Sequence, residues 1–151
     1  MRVKSAEESH LLPDLPAEAV ERNLGWLAPN HYDPVKKRFV MGTHSWLLRT
    51  ARHTILVDTC IGNDKSGRMA PHWNNMQGPF LADLAAAGYP RDSIDTVLCT
   101  HLHVDHVGWN TMQVDGKWIP TFPNARYLMA QGEFEYWRGS PEGEGQAVIF
   151  A

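Results

Sequence analysis

Apolar positions in this chain come in short runs separated by polar, Gly- and Pro-marked breaks. The first 34 residues are punctuated by Pro13, Pro16, Pro29 and Pro34, and read as irregular apart from one short helix over Glu18–Leu27. Two apolar runs follow, Arg38–Met41 and His44–Thr50, which look like a meander. Ala51 and Arg52 then form the turn into HTILVD, residues 53–58, a strand dense in Ile, Leu and Val. From Thr59 to Pro79 the chain turns polar, a loop of about 20 residues, long enough to suspect function. Phe80–Ala87 has the periodicity of an amphipathic helix and is stopped by Gly88 and Pro90. Ile94–Thr100 is a further strand. MQVDGKWIP is a hairpin turning on Asp115 and Gly116. Ala125–Ala130 is a strand, Gln131–Arg138 an aromatic-rich helix, and Gly139–Gly145 a loop or linker. This alternation predicts an α/β fold, with flanking helices on a mostly buried sheet.

Composition narrows the class. The 151 residues carry 14 Lys and Arg against 17 Asp and Glu, a net charge of −3, too little to suggest a polyanion partner. Lys36, Lys37 and Arg38 form a basic run without aromatic companions, so no nucleic-acid partner is expected. Apolar residues at 43% and charged residues at 21% exclude wholesale disorder, and the length suits one domain. No apolar run is long enough to span a bilayer, and the start lacks the apolar core of a secretory signal. Cys60 and Cys99 form no CxxC pair. Reduced thiols, a cytoplasmic setting and no membrane partner are therefore the expectation.

Eight histidines are many for this size, and three of them stand together in THLHVDHVGWN, residues 100–110. The cluster leaves the carboxyl end of a strand, where α/β folds place their sites. In extended chain His101 and His103 project the same way. If the chain then curls, Asp105 and His106 turn together toward a second point. Imidazole and carboxylate are donors for zinc or a neighbouring divalent ion, and such groups are costly to bury unpaired. Gly108 lets backbone pass close to the loop. Cys99 lies one residue off the ligand alternation and reads as a buried small hydrophobe, as does Cys60.

THLHVDH matches the HxHxDH signature of the metallo-β-lactamase-fold hydrolases, and ILVDTCIGN (55–63) resembles the strand-plus-aspartate element that precedes it. The resemblance runs through most of residues 38–138. WNTMQVDGKWIPTFPNARYLMA is similar to the lactonase- and phosphotriesterase-like branch, including relatives of acyl-homoserine lactonases and methyl parathion hydrolase. It implies a metallo-β-lactamase-like αββα sandwich and two divalent metal ions, zinc before iron or manganese. His101 and His103 would bind the first, Asp105 and His106 the second. A hydroxide between the ions would attack a small-molecule ester, lactone or phosphotriester, with Asp105 also handing a proton to the leaving group. Asp58 would orient the histidine loop from behind; the alternative is a strand-end aspartate capping its own turn. The long loop would rim the site, giving His72 and Trp73 a substrate contact, or else packing them on the core. Trp109 would wall the pocket or join the core. Phe134, Tyr136 and Trp137 pack rather than bind.

The resemblance also implies three further ligands from later in the chain: two histidines and a bridging aspartate. No histidine follows His106, and Asp115, the only later aspartate, sits in the hairpin turn. The chain therefore resembles an N-terminal half, and its VIFA end reads as an interrupted element. Truncation is the favoured explanation, with a partner chain or homo-oligomer completing the site as the other. The alternative to a hydrolase is a catalytically inactive metal-binding or interaction module of the same ancestry.

Overall fold

The structure, a computed structural model, describes residues 2–7, 12–68 and 70–139. The anticipated linker from residue 140 onward and the VIFA end lie outside them. The chain divides into two compact units, residues 1–43 and 44–151.

The first unit holds a three-stranded antiparallel sheet in the order β1-β3-β2, made of β1 (Arg2–Glu7), β2 (Tyr32–Asp33) and β3 (Arg38–Gly42). Helix α1 (Ala17–Leu27) follows Pro16, whose fixed φ suits a helix start. Val20 and Leu27 recur seven residues apart on one face of α1 and bury against Tyr32, with Leu24 and Phe39 beside them. Strand β1 stands where the sequence reads as irregular chain. It forms one edge of this sheet.

The second unit is built on a four-stranded sheet in the order β4-β5-β6-β9. Strand β4 (Trp46–Arg49) runs antiparallel to β5 (Thr54–Val57); β5, β6 (Thr96–Leu98) and β9 (Arg126–Leu128) are mutually parallel neighbours. The expected turn at Ala51 and Arg52 does connect β4 to β5. The expected meander is corrected: β3 pairs with β1 and β2, not with β4. Apolar content alone marks both as strands but carries no pairing information.

Leu47, Leu56, Val97 and Tyr127 stand in one row across the sheet and face the core, which also contains Ile94, Cys99, Leu102, Val107, Phe122 and Trp137. Helix α2 (Phe80–Ala86) packs Phe80, Leu81 and Leu84 on this core, and helix α4 (Gln131–Gly139) adds Phe134 and Trp137. Between them lie the short helix α3 (Val104–Val107) and the hairpin of β7 (Thr111–Val114) and β8 (Lys117–Pro120). Asp115 and Gly116 take φ of 51° and 75°, the two left-handed positions that the hairpin turn requires. Among the described residues no helix is long and apolar enough to cross a membrane.

Candidate metal centre

Parallel pairing of β5 with β6 brings their carboxyl ends side by side, so the residues just beyond each strand meet. Asp58 follows β5 with a φ of 57°, and the amide of Asp58 donates to Leu98 O at 2.8 Å. That left-handed step turns its carboxylate across to the segment leaving β6. There the carboxylate accepts three donors. The Thr100 amide lies 2.8 Å from Oδ1, the Thr100 hydroxyl 3.0 and 2.8 Å from the two oxygens, and His106 Nδ1 2.8 Å from Oδ2. Asp58 is buried, as an acceptor held this way can be without loss. Its contacts reach the histidine loop rather than the turn that follows it.

The loop is tied down at two further places. Gly108 N–H donates to Cys60 O at 2.7 Å, and Thr59 N–H to His106 O at 2.6 Å. The backbones meet so closely that a Cβ on Gly108 would stand 1.8 Å from Ile61 O, and one on Gly62 2.5 Å from Gly108 O. Only glycine fits either place. On the other side, Glu133 of α4 accepts Leu102 N–H at 3.0 Å and Trp137 Nε1–H at 3.1 Å. The Leu102 amide, then the indole, hold the Glu133 carboxyl below its usual range.

These anchors gather the predicted donors. The His101 ring lies 4.6 Å from His103 and 3.9 Å from His106, centroid to centroid. His106 Nε2 is 3.6 Å from Asp105 Oδ2. Asp105 and His106 occupy α3, so the anticipated curl of the chain is one turn of helix. Burial, then the neighbouring His106 and His103, holds His101 below the ordinary histidine range. The donor chemistry fits a divalent cation: with its Nδ1 proton committed to Asp58, His106 presents the Nε2 lone pair toward the carboxylate of Asp105. Among the described residues, no three His, Cys, Asp or Glu side chains are disposed to hold a metal ion by themselves.

The lesser candidates fall elsewhere. Trp109 is buried and stacks on Phe80, with ring centroids 5.7 Å apart. His72 and Trp73 sit in a single 3-10 turn, edge to face with one another. Cys99 is buried in the core and Cys60 half-buried, both as free thiols whose pKa burial pushes up. Two cations in the long loop escaped the sequence reading. Lys65 is buried, bonds Thr111 Oγ1 at 2.6 Å and lies 3.6 Å from the centre of the Trp118 ring. Arg68 is buried with its Nη2 3.4 Å from Ile61 O. A polar loop composition looks solvated, so nothing in the sequence flags either residue as covered. Beside the histidine loop an apolar pocket of about 240 Å³ is lined by Leu102, Val107, Thr111, Tyr127, Met129 and Phe134, among others.

The family model of the metallo-beta-lactamase superfamily matches residues 38–149, from β3 through the histidine loop and α4. The chain belongs to this superfamily. Solved structures agree on the fold. A probable metal-dependent hydrolase from Staphylococcus aureus superposes with a TM-score of 0.68 at 21% identity, covering 97% of this chain and 50% of that one. The hydrolase AbOPH of the beta lactamase superfamily gives 0.65 at 27% identity, covering 97% and 46%. AidC, a dizinc quorum-quenching lactonase solved with N-hexnoyl-L-homoserine, gives 0.63 at 20% identity, covering 95% and 49%. The chain thus spans about half the length of the structures it matches. No curated protein sequence matches it. The expected α/β architecture, a mixed sheet with flanking helices, is the one observed.

Proposed function

We propose that this chain supplies the HxHxDH half of a metal-dependent hydrolase acting on a small-molecule ester, lactone or phosphotriester. The observation that carries the reading is the loop 100–106, where three imidazoles and Asp105 converge while Asp58 holds the Nδ1 of His106 at 2.8 Å. In this reading His101 and His103 hold one divalent ion, and Asp105 with His106 a second. Zinc is favoured by the nitrogen-rich donor set, with iron or manganese as the other choices. A bound ion would supply Lewis acidity and water of lowered pKa. The chain's own residues do the rest. Asp58 fixes the His106 ring, Glu133 fixes the backbone between His101 and His103, and Asp105 would pass a proton to a leaving group. The apolar pocket beside Leu102 and Val107 suits an acyl or alkyl substituent, and His72 and Trp73 are weaker candidates for substrate contact.

The test is hydrolysis of activated lactone, ester and phosphotriester panels by the chain loaded with zinc, iron or manganese. Slow, metal-dependent turnover that a chelator abolishes is expected, because each ion has only two protein donors from the loop and catalytic zinc ordinarily takes three. Failure to retain any of the three metals would overturn the reading. The donor count among the described residues favours one alternative, a metal-binding module of the same ancestry without catalysis. Metal retention with no turnover, even after a C-terminal half from a related enzyme is supplied in trans, would select it.

A further inference from the structure

Thr100 precedes the histidine cluster and contributes no metal-type donor, yet its hydroxyl occupies the centre of the network. It lies within hydrogen-bonding distance of three atoms: Asp58 Oδ1 at 3.0 Å, Asp58 Oδ2 at 2.8 Å and His101 Nδ1 at 3.1 Å. A threonine hydroxyl has one proton to give and two lone pairs to receive with. If that proton went to His101, the hydroxyl oxygen would face the carboxylate lone pair to lone pair at 2.8 Å, a repulsive contact beside a buried acceptor. The proton therefore goes to Asp58, and the hydroxyl is left as an acceptor. The only group on His101 Nδ1 that satisfies it is an N–H.

We propose that Thr100 is a positioning residue that relays Asp58 to His101, fixing His101 as the Nδ1–H tautomer with its Nε2 lone pair free. Asp58 thus sets two imidazoles by two routes, His106 by direct contact and His101 through the Thr100 hydroxyl. The Thr100 amide, bonded to Asp58 Oδ1 at 2.8 Å, holds the backbone so that the hydroxyl sits between its partners. The two routes explain how one carboxylate orients rings whose centroids are 3.9 Å apart without contacting both. The tautomer assignment depends only on this network; its consequence for metal affinity rests on the loop being the metal loop proposed above.

Side-chain nitrogen NMR of the 15N-labelled, metal-free full chain at pH 8 tests the relay. His101 and His106 are both expected as Nδ1–H. In Thr100→Val, His101 should move to the Nε2–H form favoured by free imidazole while His106 stays as it was. In Thr100→Ser, which keeps the hydroxyl, His101 should return to Nδ1–H. Asp58→Asn should disturb both rings. Zinc titration of the same proteins should show affinity falling on the order of 10-fold in Thr100→Val and recovering in Thr100→Ser. Nε2–H at His101 in the unaltered chain, or indistinguishable His101 spectra in the Val and Ser variants, would overturn the relay even if zinc binds normally. The expected tautomer changes without zinc binding in any of these proteins would support the relay and sink the metal reading instead.

Discussion

Each face of the β4-β5-β6-β9 sheet carries an apolar row, and the two rows are unequally covered. On one, Leu56 and Val97 are 1% and 0% exposed beneath α2 and α4. On the other, Trp46 pairs with Val57, Val57 with Leu98 and Leu98 with Leu128 in a continuous row. Of that row Trp46 is 65% exposed, Leu98 39% and Leu128 45%, with Leu48 beside them at 47%. Strands that carry apolar side chains on both faces belong to sheets buried on both sides. Among the described residues this second row stays largely exposed. An open apolar row of this kind invites association.

The covered core should respond most strongly to substitution. Leu56→Ala and Phe122→Ala should each cost about 2–5 kcal/mol, because they remove fully buried side chains from a closed layer. Urea unfolding of the two variants measures the loss. A change below about 1 kcal/mol would mean that the inner face is no better packed than the outer.

Burial elsewhere in the unit carries a penalty of its own. The Lys65 ammonium is caught under Trp118, where burial and then the charge of Arg68 pull its pKa down from 10.5 to about 8. Between those values the unfolded chain binds more protons than the folded one, so stability should rise as pH increases from about 8 to 10.5, by about 1.4 kcal/mol for each unit of displacement. Below about 8 both forms are protonated and Lys65 adds no slope. Lys65→Met should flatten the rise, as melting curves across this range would reveal. Parallel profiles for both proteins would show that Lys65 is hydrated.

The smallest effect on stability is expected at the open face. Leu98→Ala and Leu128→Ala should change it by no more than about 0.5 kcal/mol in a monomer. Replacing the same pair by lysine should leave the fold intact and shift the chain toward monomer by light scattering. Unchanged self-association in the double lysine variant would place the sticky surface elsewhere.

How much of this was legible depends on range. The histidine loop and the Asp115-Gly116 turn are local, so residue type and spacing carry them; Gly108 is needed because the distant backbone of Ile61 passes against it. Asp58 was legible only as a strand-end acid with two possible roles; its bonds span 42 and 48 positions, and only parallel pairing of β5 with β6 closes that gap. Glu133, 31 positions from the amide it accepts, was invisible because an acid in the first turn of a helix is ordinary. The apolar runs of β5 and β6 do not say which of their residues face the core: Leu56 and Val97 are buried while Leu98 is exposed. Alternation sends neighbours to opposite faces, and only one of those faces is open.

If loop 100–106 is a metal loop, its imidazoles must bind zinc. Isothermal titration of zinc into the metal-free chain, beside His101→Ala/His106→Ala with its fold checked by circular dichroism, tests this most directly. The unaltered chain should bind zinc, loosely, and the double variant should lose that binding. Equal zinc binding by both proteins, or none by either, would contradict the claim that Asp58 and Thr100 hold these imidazoles for a metal.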